Sequence, residues 1–203
     1  MSTTHRLTGE ERRAAIVEAA LRIFADKGFR GATTRELAVA VGVSEPVLYQ
    51  HFATKRDLYA AIIEAKSQDA AVRVAEYLTP FIATDDDPGF FLRMAEMILD
   101  WYIDDPSYIR LLLYSELEGH ELADLFHERA TRAFLAVVTP YVERRIARGA
   151  FRNVDASLVV HAFAGMVANY GQQCAISPRS ELNMDRKAVA RGMADLFLQG
   201  LRS

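Results

Sequence analysis

The sequence predicts an all-α protein in which an N-terminal three-helix head, carrying a helix-turn-helix, is joined to a larger helical domain. Three observations carry this expectation. Apolar residues recur at helical spacing from end to end, with no convincing alternating strand segment, internal repeat or low-complexity tract. Helix-opening pairs and helix-ending Gly or Pro residues punctuate that pattern in the expected order. Within Thr33 to Phe52, Ala38, Gly42 and Leu48 stand four and six residues apart: a small residue for close helix approach, a turn residue suited to positive φ, and an aliphatic aimed at the core. At 203 residues and 51% hydrophobic content, the chain can bury a sizeable core.

The first helix opens at Thr8, where Thr8 and Glu11 form a capping box, and Ile16, Ala19, Ala20, Ile23 and Phe24 make its apolar face. Lys27 and Gly28 close it, and Phe29 is expected to pack back on it. Thr33 and Glu36 open a short second helix that ends before Gly42. Ser44 caps the third, where Pro46 is tolerated in the first turn and His51 and Phe52 end it. Thr54, with Asp57 three residues on, begins a helix over 54–78, bounded by Pro80, that connects a head of residues 1–53 to a domain of residues 54–203.

Asp85 to Gly89 reads as a loop, and the helix after it runs to Asp104-Asp105-Pro106. Further helices are expected at 107–118, 121–148, 155–174 and 184–200. Pro140 predicts a kink or break, Gly149 a stop, and Asp155 a cap.

Charge supports a DNA role only weakly. The net charge is −3, but residues 1–60 hold nine Lys/Arg against seven Asp/Glu, so the positive excess sits with the helix-turn-helix. Cys174 is the only cysteine, which excludes an intrachain disulfide and a thiolate zinc site and fits a reducing, cytoplasmic setting. No run approaches the roughly 18 apolar residues of a membrane span, and MSTTHRLTGEERR lacks the apolar core of a signal peptide, so no membrane partner is expected.

The residues of the head resemble the DNA-binding domain of the TetR (tetracycline-repressor-like) family of bacterial transcriptional regulators. Phe24 through Gly28-Phe29, Thr33-Thr34, Leu37-Ala38, Gly42-Val43-Ser44, Leu48-Tyr49, His51-Phe52 and Lys55 with Leu58 carry the resemblance over about residues 9–60. It implies phosphate contacts at Thr34, Tyr49, His51 and Lys55. Base contacts are expected from Arg35, Glu45, Pro46, Val47 and Gln50. Ser44 completes the DNA-facing set. Glu45 departs from the polar or basic residue usual at that point. It either accepts from a cytosine amino group or simply favours the helix N-terminus. Lys55, in a helical first turn, is electrostatically misplaced unless an anionic partner meets it.

In the remainder, where the resemblance extends only to helix number and size, it implies a domain that binds a small-molecule effector and forms a homodimer. Helices 155–174 and 184–200 would pair with those of a second copy, with Ala162, Gly165, Ala168, Ala190 and Ala194 allowing close approach. Met97, Trp101, Tyr114, Phe134, Phe163, Met166 and Tyr170 are candidate walls of an apolar pocket, the plainer reading of each being ordinary core.

No cofactor or metal is assigned. Glu116, His120, Asp124 and His127 recur at helical spacing, but Gly119 interrupts them and the acidic surroundings suggest a solvated surface. His127-Glu128 starts like a zinc-protease motif, yet Thr131 stands where the second histidine belongs. His161, among Val160, Ala162 and Phe163, reads as a core histidine. With no nucleophile elbow, P-loop or dinucleotide fingerprint, no enzyme is expected. The expected function is a regulator, specifically a repressor released from a palindromic double-stranded operator by a largely apolar ligand. The rival is a helical binder or enzyme that keeps the fold without the DNA role.

Overall fold

A computed structural model describes residues 8–104, 106–118, 124, 128, 131–176 and 185–202, with the side chains of 67–71 excepted. The candidate ligands His120 and His127, and most of the first eleven residues (121–131) of the helix expected over 121–148, lie outside these residues. Among them the chain forms nine α-helices and no strand: α1 (Gly9–Gly31), α2 (Thr34–Ala40), α3 (Glu45–His51), α4 (Lys55–Thr84), α5 (Asp87–Asp104), α6 (Pro106–Leu117), α7 (Arg132–Ala147), α8 (Ala156–Ile176) and α9 (Arg186–Leu201).

Three capping boxes open the helices that build the head. Thr8 with Glu11, Thr33 with Glu36, and Thr54 with Asp57 each exchange side-chain and backbone bonds, satisfying two of the donors that a helix start leaves unpaired. Ser44 occupies the corresponding position before α3 but makes no side-chain capping bond, contrary to expectation. The turn from α2 to α3 is closed by backbone: Gly42, at φ 71°, donates to the Val39 carbonyl and Val43 donates to that of Ala38, both at 3.0 Å. This paired arrangement requires a left-handed residue at 42, where a side chain would be strained.

Ile16, Ala20, Leu21, Phe24, Leu37, Ala38, Leu48 and Phe52 form the core of the head. Leu58, Tyr59, Ile62 and Ile63 of α4 and Tyr108 and Leu111 of α6 complete it, so the head closes only with residues distant in the sequence. A second core gathers Phe90, Phe91, Met94 and Leu99 of α5, Val138, Tyr141 and Val142 of α7, Val160, Phe163 and Val167 of α8, and Ala190, Ala194 and Leu198 of α9.

Both internal prolines are overridden by packing. α4 continues through Pro80 to Thr84 and does not stop near Leu78, because Leu78 is buried on one side of the proline and Phe81 and Ile82 pack against the same core on the other. α7 likewise passes unbroken through Pro140, between buried Val138 and Tyr141. Burying large side chains on both sides of a proline can outweigh the roughly 3 kcal/mol cost of one within a helix. The loop expected at Asp85 to Gly89 shrinks to Asp85 and Asp86, since Asp87 already belongs to α5.

Buried ion pairing holds α5 to α7. Asp87 accepts from the Tyr141 hydroxyl at 2.5 Å and from Arg145 Nε and Nη2 at 2.8 and 2.7 Å, while Arg144 and Arg148 pair with Asp85. The bond to Asp87 raises the Arg145 guanidinium further above its ordinary range, and burial pushes the Tyr141 phenol up. At the opposite end Arg186 bridges Asp100 and Asp104, fastening the start of α9 to α5.

Two expectations for the last helices are corrected. Ala190 and Ala194 face inward, at 0% and 2% exposure, because α9 packs against α5 of its own chain. His161 is exposed and not in the core; its ring nitrogen meets the Ser157 carbonyl one turn back at 2.7 Å. Leu158, Gly165 and Met166 share the exposed surface of α8 with it, as Gly192 and Leu196 do on α9.

Asp87→Ala is expected to lower unfolding free energy by about 1.5–3 kcal/mol, because Arg145 loses two short charge-assisted bonds and keeps only its longer pairing with Asp85 at 3.4 Å; chemical denaturation monitored by circular dichroism measures it. A second outcome concerns Glu36, whose carboxyl the Lys27 ammonium (2.5 Å), assisted by Thr33, holds down at about 2 against an ordinary 4.5. Its stabilisation is complete above about pH 4.5 and is lost as pH falls towards about 2. Glu36→Gln keeps the capping geometry but removes this dependence, so the difference in melting temperature between the two proteins should shrink as the solution is acidified through that window.

Candidate nucleic-acid interface

The exposed surface of the helix-turn-helix is made by alternation within two seven-residue helices. In α3, Leu48 points into the head at 3% exposure, and Phe52 just beyond it is buried. Pro46, Tyr49 and Gln50 consequently face out, with Tyr49 45% exposed, while Glu45, Val47 and His51 are half-buried along the flanks. Arg35 is exposed on α2, and Ser44 is exposed just before α3. The structure therefore gathers the candidate residues onto α2, α3 and the first turn of α4.

Two of those residues are joined to each other. The Thr34 hydroxyl donates to Glu45 Oε2 at 3.1 Å, linking the first residue of α2 to the first of α3. The bond commits the Thr34 proton to Glu45. It also restrains a carboxylate that would otherwise swing freely.

Lys55 finds hydrogen-bond acceptors within the chain. Its ammonium donates to the carbonyls of Phe29 at 2.7 Å and Ala32 at 2.9 Å and lies 4.4 Å from the centre of the Phe29 ring. These carbonyls lie at the end of α1, whose dipole favours a cation, which offsets the unfavourable start of α4. Burial lowers the lysine pKa, opposed by the Glu118 carboxylate. Two of the three ammonium protons are thus used in bracing the head.

Bracing extends across the head into α6. α1 breaks at Gly28, with φ 70° and ψ 177°, and Phe29 folds back to stack on Phe24 at 6.1 Å, as the sequence suggested. At φ 70° a side chain at position 28 would be strained, and its Cβ would sit 2.6 Å from Glu118 Oε1 and 3.1 Å from Tyr114 Cδ1, so both side chains would have to shift. Tyr59 of α4 donates its hydroxyl to the Leu111 carbonyl at 2.9 Å, and burial raises its pKa. Glu118 and Tyr59 were not identified from the sequence: their partners lie 88 and 52 residues away, beyond the reach of helical periodicity.

The candidate pocket residues do not converge. Phe163 sits edge-on to Phe91 at 4.9 Å and near Phe197 at 5.0 Å within the large core, where Met97, Phe134 and Tyr170 are partly buried. Trp101 packs against the core of the head, Tyr114 lies over Gly28, and Met166 is 36% exposed. Two concavities lie elsewhere, one of about 240 Å³ lined by Arg12, Ala15, Ile16, Val41, Gly42 and Val43, and one of about 100 Å³ beside Pro88 and Arg202. Among the described residues no group of three or more His, Cys, Asp or Glu side chains could hold a metal ion, and no helix is long and apolar enough to cross a membrane.

Residues 16–62 match the family of bacterial regulatory proteins, tetR family. Over 112 residues the chain is 32% identical to the HTH-type transcriptional activator FasR of Mycolicibacterium smegmatis, a match covering 55% of this chain and 50% of that protein. It is 30% identical over 119 residues to an HTH-type transcriptional repressor of Streptomyces coelicolor, covering 59% and 56%. The matches thus span about half the length of these curated relatives. A tetR-family bacterial regulatory protein from Rhodococcus superposes with a TM-score of 0.73 at 25% identity, covering 93% of this chain and 96% of the other. The matched helix-turn-helix and the all-α architecture around it agree: residues 16–62 carry the helix-turn-helix of the tetR family of bacterial regulatory proteins, in a chain whose fold is similar to that of a tetR-family regulator.

Proposed function

We propose that the protein is a sequence-specific DNA-binding transcriptional regulator that acts as a homodimer and represses by occupying a palindromic operator, from which a small, largely apolar effector releases it. The observation that carries this reading is the outward face of α2 and α3, where Arg35, Pro46, Tyr49 and Gln50 are exposed while Leu37 and Leu48 anchor the two helices beneath. Arg35 is the strongest candidate for base readout, since it is exposed and enters no ion pair among the described residues. A guanidinium grips guanine O6 and N7 with two parallel bonds. Gln50 is suited to adenine, and Pro46 and Val47 to a thymine methyl. Ser44, Tyr49, His51 and Lys55 serve the phosphates, with Thr34 acting mainly through its bond to Glu45.

A single seven-residue reading helix covers only a few base pairs, so useful discrimination needs two heads about one helical turn, roughly 34–36 Å, apart. The exposed faces of α8 and α9 supply a surface for pairing. Leu158 is 65% and Leu196 72% exposed, and Gly165 and Gly192 have open space where a Cβ would stand. Residues 1–53 then act as the reading head and 54–203 as the domain that dimerises and senses the effector. An effector shifts the protein between states only if it binds one separation of the heads better than the other. The contact of α6 with the end of α1 couples the two parts. Met97, Phe134 and Tyr170, partly buried against the large core, and Phe163 within it are the candidate residues best suited to an apolar ligand.

Arg35→Ala is expected to relax base preference at one operator position by about 1–3 kcal/mol while leaving other positions unchanged, as read by band-shift titrations on a panel of single-base operator variants. Uniform weakening on every duplex would reassign Arg35 to the phosphates. Leu196→Glu should convert the dimer to a monomer in sedimentation and abolish operator protection, with helicity retained. A monomeric wild-type protein, or one that protects no duplex at modest ionic strength, would overturn the proposal.

A further inference from the structure

The geometry points to Glu45 as a specificity-determining residue that accepts a hydrogen bond from the amino group of one cytosine in each half-site, oriented for that task by the Thr34 hydroxyl. This inference rests on the DNA-binding reading above and names a base that the site selects.

Glu45 is the first residue of α3, and its neighbour Pro46 is exposed on the reading face. Its Oε2 accepts from Thr34 Oγ1 at 3.1 Å, and among the described residues its Oε1 accepts no bond. The carboxylate is thus tied to α2 by one oxygen, leaving the other to meet a donor. It is half-buried and enters no ion pair among the described residues, which separates it from Glu36, whose charge is matched by Lys27. An unneutralised carboxylate brought towards phosphates is repelled, so its presence on this face weakens binding to DNA in general. Only a base that offers a donor offsets that repulsion.

The edges of the bases in the major groove narrow the choice to one. Guanine presents two acceptors and thymine presents an acceptor beside a methyl group, so both oppose a carboxylate. Adenine presents its amino donor next to the N7 acceptor, a pair that suits an amide and sets a carboxylate against N7. Cytosine presents an amino donor whose neighbour on the same base is a C–H and not an acceptor. A carboxylate at this position therefore favours cytosine over all three alternatives. Its replacement by an amide of the same shape favours adenine.

The full-length protein and its Glu45→Gln variant are each used to select bound duplexes from a random double-stranded library, and the enriched half-sites are compared. Wild type should enrich one cytosine per half-site whose replacement weakens binding roughly 5- to 100-fold. Glu45→Gln should change the preference at that position alone, from cytosine to adenine, and bind unselected duplex more tightly than wild type does. Thr34→Val, which removes the tethering proton, should retain the cytosine preference with smaller discrimination. The same enriched motif for wild type and Glu45→Gln, or an equal loss of affinity on every duplex, would overturn the assignment while leaving the regulator reading intact. Unchanged discrimination in Thr34→Val would remove the tether from it. Failure of the wild type to enrich any sequence would overturn both readings.

Discussion

The end of α1 is where the architecture is decided. At Gly28 the helix breaks, its last carbonyls turn towards α4, and the Lys55 ammonium takes those of Phe29 and Ala32. That contact holds the start of α4 against a negative helix end, and the fold-back of Phe29 sets its ring against Phe24 and edge-on to Tyr59 at 5.4 Å. From there the Tyr59 hydroxyl reaches the Leu111 carbonyl and brings α6 onto the head. A head of one long and two seven-residue helices has too little apolar surface to be rigid alone. By borrowing Tyr108 and Leu111, it becomes mechanically continuous with the domain behind it.

This continuity gives the two halves of the molecule different kinds of support. The large core is fastened by charge at both ends, by Asp87 with Arg145 at one and by Arg186 with Asp100 and Asp104 at the other. Between those anchors lie close-packed aromatic rings, which tolerate little change in volume. The head is fastened by caps, a glycine turn and the Lys55 bonds, each worth only about 1 kcal/mol or a little more. A perturbation in the large domain that moves α6 is therefore transmitted most directly to Gly28, Lys55 and Tyr59.

The head was largely legible in the sequence because its determinants are local. Thr33 with Glu36, and Thr54 with Asp57, act over three residues, and Gly42 acts on its own φ; all appear where the pattern put them. The end of α4 was misread, and no break occurs in α7, because Pro80 and Pro140 are local signals overruled by burial of Leu78, Val138 and Tyr141. Ala190 and Ala194 illustrate a further limit. Small residues on a helix indicate close approach, but not whether the neighbour is α5 of the same chain or a second copy.

By itself the sequence determined the all-α class, the helix starts and the helix-turn-helix, since capping, turn formation and helical periodicity are interactions among residues a few positions apart. Tertiary structure decided what each polar group is bonded to. It turned the Lys55 ammonium onto the end of α1, gave the Thr34 proton to Glu45, and set Glu118 against Gly28, because these partners are brought together only when distant helices pack. A charge's chemistry is written in its residue type, whereas its partner is chosen by the fold.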